Sequence, residues 1–254
     1  MGPSLFDACF LAGAAFVAGS IDAVAGGGGL ITVPALFAVK LPPHLAFGTN
    51  KGQSVFGSGA SLVRYWRAGL VDASRAPLAF FLGFAGSLAG ASLLLSLPPR
   101  TLRLLVLVLL FGAALFIVLR RPHGPTKKPP LTPARRLGTH AVTLALGAYD
   151  GFFGPGTGTF LIVTFVGLLG ETLQRASANA KVVNFGSNLA ALILFWHRGV
   201  IVWSYAVPMA MAQLAGGTFG AHLGVKVGDR LVRRVLLAVS FALMLKIAFD
   251  LVRG

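Results

Sequence analysis

Two carboxylates and two ammonium groups stand where a lipid-compatible chain should carry neither. Asp22 closes the run Gly19-Ser20-Ile21-Asp22, and Asp150 closes Gly147-Ala148-Tyr149-Asp150. Of the seven acidic residues in the chain, these two alone lie deep in apolar stretches. A carboxylate at the centre of a membrane helix costs roughly 2.5–3.5 kcal/mol on insertion scales, so its presence asks for a role. Burial raises a carboxyl pKa, which lets such a group take up and release a proton near neutral pH. Each aspartate also precedes a glycine-rich break by a few residues, where a carboxylate can accept backbone N–H bonds and act as a cap. Proton carrier and cap are both open, and one residue can do both.

Lys51 and Lys181 belong to polar patches, Thr49-Asn50-Lys51-Gly52-Gln53-Ser54 and Ser177-Ala178-Asn179-Ala180-Lys181. On a helix, Lys51, Ser54 and Ser58 share one face, as do Lys181, Asn184 and Asn188. Ammonium, hydroxyl and amide donors on one face suit a small oxyanion. Asn50, Gln53 and Asn179 add to the same donor sets. The competing reading is that lysines near the start of an apolar segment snorkel to the lipid headgroups.

The third chemical element is backbone. Gly26-Gly27-Gly28-Gly29 and Gly154-Pro155-Gly156-Thr157-Gly158 interrupt the apolar runs. Such a break frees the N–H groups that begin the next half-helix, and that end carries partial positive charge. Gly28, Gly29, Gly156 and Thr157 are therefore candidate anion contacts, a use that helix N-termini serve widely. The alternative is that these glycines only allow close helix packing, the role assigned to Gly86, Gly90, Gly216 and Gly220.

All three elements occur twice, in residues 19–61 and again in 147–190. The offset is 128 at the aspartates and 130 at the lysines, and it stays at 130 for Trp66/Trp196, Gly69/Gly199, Gly86/Gly216 and Gly90/Gly220. An offset of 129 instead pairs Asn50 with Asn179 and Phe56-Gly57-Ser58 with Phe185-Gly186-Ser187, so the helix register stays open. Broken hydrophobic segments at matching places in two halves point to a transporter's binding site.

Apolar segments fall near 5–25, 30–40, 45–63, 73–97 and 101–119, then near 139–152, 158–170, 176–196, 200–224 and 232–252. A spanning helix needs roughly 20 residues, so 30–40 and 158–170 read as halves of re-entrant or broken hairpins. The chain is 56% hydrophobic with only 11% charged residues, and its mean hydropathy is +0.80. Soluble domains carry about 25% charged residues, so the expected fold is an all-α polytopic membrane protein. It is expected to be built of two repeats of four to five segments, 1–119 and 139–254, joined by a basic linker at 120–138.

That linker carries Arg120, Arg121, Lys127, Lys128, Arg135 and Arg136 and no acid. The net charge of +15 lies mostly in short loops, the positive-inside pattern, and not in a nucleic-acid face. With the linker inside, the loop bearing Arg64, Arg67 and Arg75 is also inside. The basic loop at 226–234 is inside as well if each half crosses an odd number of times. The halves are then inverted and both termini lie outside. Four spans per half in parallel orientation is the alternative.

The N-terminal segment lacks a basic leader region and reads as mature protein. A single Cys9 excludes an internal disulfide framework. His44, His123, His140, His197 and His222 form no ligand-spaced pair, and no hydrolase or dinucleotide signature is present. No catalytic residue, metal ligand or cofactor is expected. A homo-oligomer remains open.

The glycine-rich break, the Gly48-Thr49-Asn50-Lys51 run, its weaker second copy and the duplicated layout together resemble the sulfite exporter TauE/SafE family, also called the 4-toluene sulfonate uptake permease family. The likeness covers nearly the whole chain. The second copy departs from the pattern and reads Ala176-Ser177-Ala178-Asn179. The resemblance implies gradient-driven movement of a small sulfur oxyanion, such as sulfite or a sulfonate, across a bacterial cytoplasmic membrane. It also implies a site made of Asn50, Lys51 and Ser54 with Asn179, Lys181 and Asn184. An uncoupled anion channel is the main rival, and a membrane-embedded enzyme a weaker one. Substrate, direction and coupling ion are not in the residues.

Overall fold

A computed structural model describes residues 4–119, 132–232 and 234–235. Among them lie the helices α1 (Leu5–Ala25), α2 (Gly29–Ala38), α3 (Pro43–Arg67), α4 (Ala76–Ser96) and α5 (Pro99–Leu119). They are followed by α6 (Pro133–Phe152), α7 (Thr157–Leu169), α8 (Leu173–His197) and α9 (Trp203–Val227). The described residues hold no strand. Local chemistry sets several starts. Ser4, Thr132 and Thr172 accept N–H bonds from Asp7, Arg135 and Arg175 as N-caps of α1, α6 and α8. Proline opens α3, α5 and α6, where its missing N–H is no loss.

The two glycine-rich stretches do break the chain. Gly26, Gly27, Gly154 and Gly156 have φ of +74°, +88°, +92° and +87°, a region that side-chain-bearing residues rarely enter. The helices that follow are short, with 10 residues in α2 and 13 in α7. α2 doubles back along α1: Gly28 sits against Ala18 and Asp22, and Ala35 and Leu36 pack with Leu11 and Ala15. The segment boundaries correct the sequence expectation in one place. α6 begins at Pro133, so Arg135 and Arg136, assigned above to the linker, are helical. The basic residues at 120–128 and most of the expected 232–252 segment lie outside the described residues.

Helix directions follow from which residues touch. α1 runs parallel to α9, because a side chain at Gly216 would strike Phe16 and one at Gly220 would strike Ser20. α3 runs parallel to α9 as well, through Gly57 at Gln213, Ser61 at Gly217 and Tyr65 at Gly224. On the other side α4 runs parallel to α6, with Gly86 on Leu144 and Gly90 on Ala148. α4 also follows α8, with Asp72 near Asn179 at one end and Ser87 on Ser187 further along. The helix reversals are tied at both ends. His44 at the start of α3 meets the Leu97 carbonyl after α4 at 3.1 Å. Gln174 at the start of α8 donates to the Gly224 carbonyl at the end of α9 at 2.9 Å. Hence α1, α3 and α9 point one way, and α4, α6 and α8 the other.

The outer surface is apolar. Phe6, Phe81, Leu104 and Met211 project outward, and Trp66, Trp196 and Trp203 are exposed at helix ends, where membrane proteins concentrate tryptophan. α1 and α4 are long and apolar enough to cross a bilayer. The polar residues point inward. A molecule with its greasy residues outside and its Asn, Lys, Asp and Gln inside is a helical membrane protein.

Candidate functional site

The two breaks meet. A side chain at Gly29 would lie 3.1 Å from the Pro155 backbone, and Gly26 packs onto Gly158 and Thr159. Beside this junction is a cavity of about 30 Å³ lined by Asp22, Gly28, Gly29, Asn50, Lys51, Ser54, Asp150, Gly154, Thr157, Gly158, Asn184, Asn188 and Gln213. Two half-helix N-termini, those of α2 and α7, therefore contribute to one wall, bringing partial positive charge and N–H donors.

The carboxylates and lysines pair across the junction. Lys51 Nζ lies 3.0 Å from Asp150 Oδ1, and Lys181 Nζ lies 2.8 Å from Asp22 Oδ2. Neither lysine snorkels: Lys51 is 2% and Lys181 0% exposed. Each bridge is braced differently. Lys51 also donates to Asn188 Oδ1 at 2.9 Å, and Asp150 accepts from the Ser187 hydroxyl. Lys181 also donates to the Asp22 carbonyl oxygen. The Asp22 carboxylate takes the Gly28 N–H at 3.2 Å, so it caps the break while it pairs with lysine. Among the described residues, no backbone N–H of the second break caps Asp150 in this way. The Asp22 side chain is 19% exposed and the Asp150 side chain 6%.

The remaining candidates divide. Asn50 accepts from Thr32 at 2.6 Å and from Gln53 Nε2 at 3.1 Å, which locks α2 to α3. Gln53 thus stands behind the cavity wall, and Gly156 forms the turn that leads into it. Asn179 lies elsewhere. Its side-chain amine donates to both Glu171 carboxylate oxygens at 3.0 Å, and its oxygen accepts the Asp72 N–H at 2.8 Å. Arg75 joins the cluster, bridging Asp72 at 2.7 Å and Glu171. Burial pulls the Asp72 carboxyl upward, but hydrogen bonds from Ser74 and Arg75 and the guanidinium charge outweigh it and hold the pKa at about 2. This network ties the α3–α4 connection to the start of α8.

Two residues at or behind the cavity were absent from the candidates drawn from the sequence: Gln213 and Ser187. Asn188 was legible as part of the Lys181 face. Ser187 lay in a matched Phe-Gly-Ser triplet, and Gln213 was a lone amide in an apolar segment.

Inward-facing charge pairs, two half-helices meeting at glycine breaks and an apolar exterior define the class as a helical membrane protein. Residues 11–247 match the sulfite exporter TauE/SafE family, and the chain belongs to that family. It is 36% identical over 242 residues to the probable membrane transporter protein ORF9 of Sinorhizobium, covering 95% of this chain and 92% of that one. It is 35% identical to a probable membrane transporter protein of Haemophilus influenzae, covering 92% of each. It is 34% identical to the probable membrane transporter protein YfcA of Escherichia coli, covering 93% of this chain and 87% of that one. No solved structure matches the chain.

Proposed function

We propose that this protein is a secondary transporter for a small sulfur-containing oxyanion in a bacterial cytoplasmic membrane, driven by a proton or ion gradient. The observation that carries the reading is the pair of buried lysine–aspartate bridges at the meeting point of the two breaks. A permanent salt bridge in a dry site is poor value for stability, since desolvation offsets much of the attraction. A bridge that opens during a cycle has a use.

The chemistry follows from the pairing. While Asp22 is ionised it occupies Lys181, and while Asp150 is ionised it occupies Lys51. A proton arriving on either carboxylate neutralises it and frees its lysine to hold an oxyanion beside the α2 and α7 N-termini. When the anion leaves, the lysine reclaims the carboxylate and the proton departs. Anion and proton are thereby tied to one another without touching. The cavity has room for about two water molecules, less than a hydrated oxyanion needs, so it must widen to take one.

The helix directions support a further part of the reading. We take residues 1–119 and 139–254 as inverted repeats, because α1 and α3 oppose α6 and α8, and the close glycine packing of α1 on α9 is matched by that of α6 on α4. Alternating access then comes from rocking one repeat against the other about the junction.

The test is anion flux into proteoliposomes with and without a pH gradient, repeated on Lys51→Ala and Lys181→Ala. Gradient-dependent flux of sulfite or a sulfonate that either change abolishes is expected. Flux indifferent to the gradient would favour an uncoupled channel, and undiminished flux in both variants would remove the lysines from the site.

A further inference from the structure

Gln213 lines the cavity from α9 with its carboxamide oxygen unanswered. It is 3% exposed, its Oε1 has no hydrogen-bond partner, and no bond from its Nε2 occurs among the described residues. Its place is built for it. A side chain at Gly57 would collide with the Gln213 side chain, and one at Gly19 would lie 2.8 Å from the Gln213 carbonyl and 3.2 Å from Cδ. Two neighbouring helices thus give up a side chain where this amide passes. Asn184, 4% exposed, is in the same condition, with Oδ1 unpartnered and its Nδ2 facing Gly158.

The surrounding charges do not answer these amides, because the two ammonium and two carboxylate groups already cancel in pairs. Each carboxamide offers one acceptor and two donors whichever way it is turned. A fully ionised oxyanion has only acceptors, so it can meet the amine ends and must leave the carbonyl ends dry. A buried polar group left without a partner weakens binding sharply. The arrangement is also one-sided. In the 130-residue register that pairs Gly86 with Gly216, Gln213 corresponds to Gly83, where a side chain would meet the Val183 carbonyl at 2.7 Å. The Gln213 carboxamide thus has no equivalent at the matching place in the other half, which suits a ligand whose two ends differ.

We infer that Gln213 and Asn184 select a small sulfur monoanion that carries its own O–H or N–H donor, with Gln213 orienting it. The inference rests on the oxyanion reading above and narrows it. Its test is the affinity of the purified protein for 2-hydroxyethanesulfonate against propane-1-sulfonate, two anions of like size and charge that differ by one hydroxyl. The hydroxylated anion should bind at least roughly tenfold more tightly. Gln213→Leu should erase that preference while propane-1-sulfonate still binds. Equal affinities in the wild type, or a preference that survives Gln213→Leu, overturn the inference and leave the transporter reading intact. Should both sulfonates prove too large to bind, sulfite titrated across its second ionisation decides the matter. A preference for the hydrogen-bearing monoanion that Gln213→Leu removes supports the selection, and affinity that follows the dianion, or a pH dependence unchanged in Gln213→Leu, overturns it. If no sulfur anion binds at all, the oxyanion reading falls first and the selection with it.

Discussion

Removing one member of the Lys51–Asp150 bridge strands a buried charge without its ion-pair partner. Lys51 would keep a single neutral bond, to Asn188. Breaking a buried pair by deleting one partner typically costs about 3–5 kcal/mol, whereas replacing both by apolar groups is often neutral. Asp150→Ala should therefore lower the thermal unfolding midpoint in detergent markedly, and Lys51→Met combined with Asp150→Leu should restore most of it. Anion binding should persist in Asp150→Ala, where Lys51 is left free, and be lost in the double variant, which lacks the lysine. A double variant as unstable as the single one would show that the bridge is held for packing and not for its charges. Asp22→Ala should be milder, because the Asp22 side chain is 19% exposed and water can reach the lysine it leaves.

At the scale of elements, the break-and-return hairpins were legible because glycine runs and short apolar stretches are local features. So were the aspartates and lysines, which stand out against any apolar background. Their pairing was not legible. Asp22 read as a partner of its own break, which it is through Gly28, but its lysine lies 159 residues away. Which helices cross, and at what level, depends on glycine contacts whose geometry hydropathy does not encode. Asn179 shows the same gap, since matching it to Asn50 hid a carboxylate eight residues upstream at Glu171. That cluster makes its own prediction. Asp72 is depressed to about 2 from an ordinary value of 3.8, so its contribution to stability is complete above the unfolded value and is lost as pH falls through about 2. Unfolding midpoints of the wild type and Asp72→Asn should differ at neutral pH and converge as pH drops from 3.8 to 2. A gap that persists at the acid end would mean the aspartate acts through shape and not through charge.

For the whole molecule, the arrangement of helices makes a claim about the two faces of the membrane. The end of α3 lies beside the start of α8 and the end of α9, through Asp72 with Asn179 and Tyr65 with Gly224. The end of α8 lies at the opposite pole, where Val202 donates to Thr49 near the start of α3 at 3.0 Å. The connections 68–75 and 198–202 therefore face opposite sides, and the arginines flanking the first favour the cytoplasm for it. This can be read with thiols once the exposed Cys9 is replaced by serine. A single cysteine at the exposed positions Ala73 or His197 is then treated in intact cells with a membrane-impermeant maleimide. His197→Cys should react in whole cells, and Ala73→Cys only after the membrane is opened. Inverted halves require that asymmetry, because related loops of parallel halves would share a side. Labelling of both positions from outside would rule out the inverted arrangement proposed for the two halves.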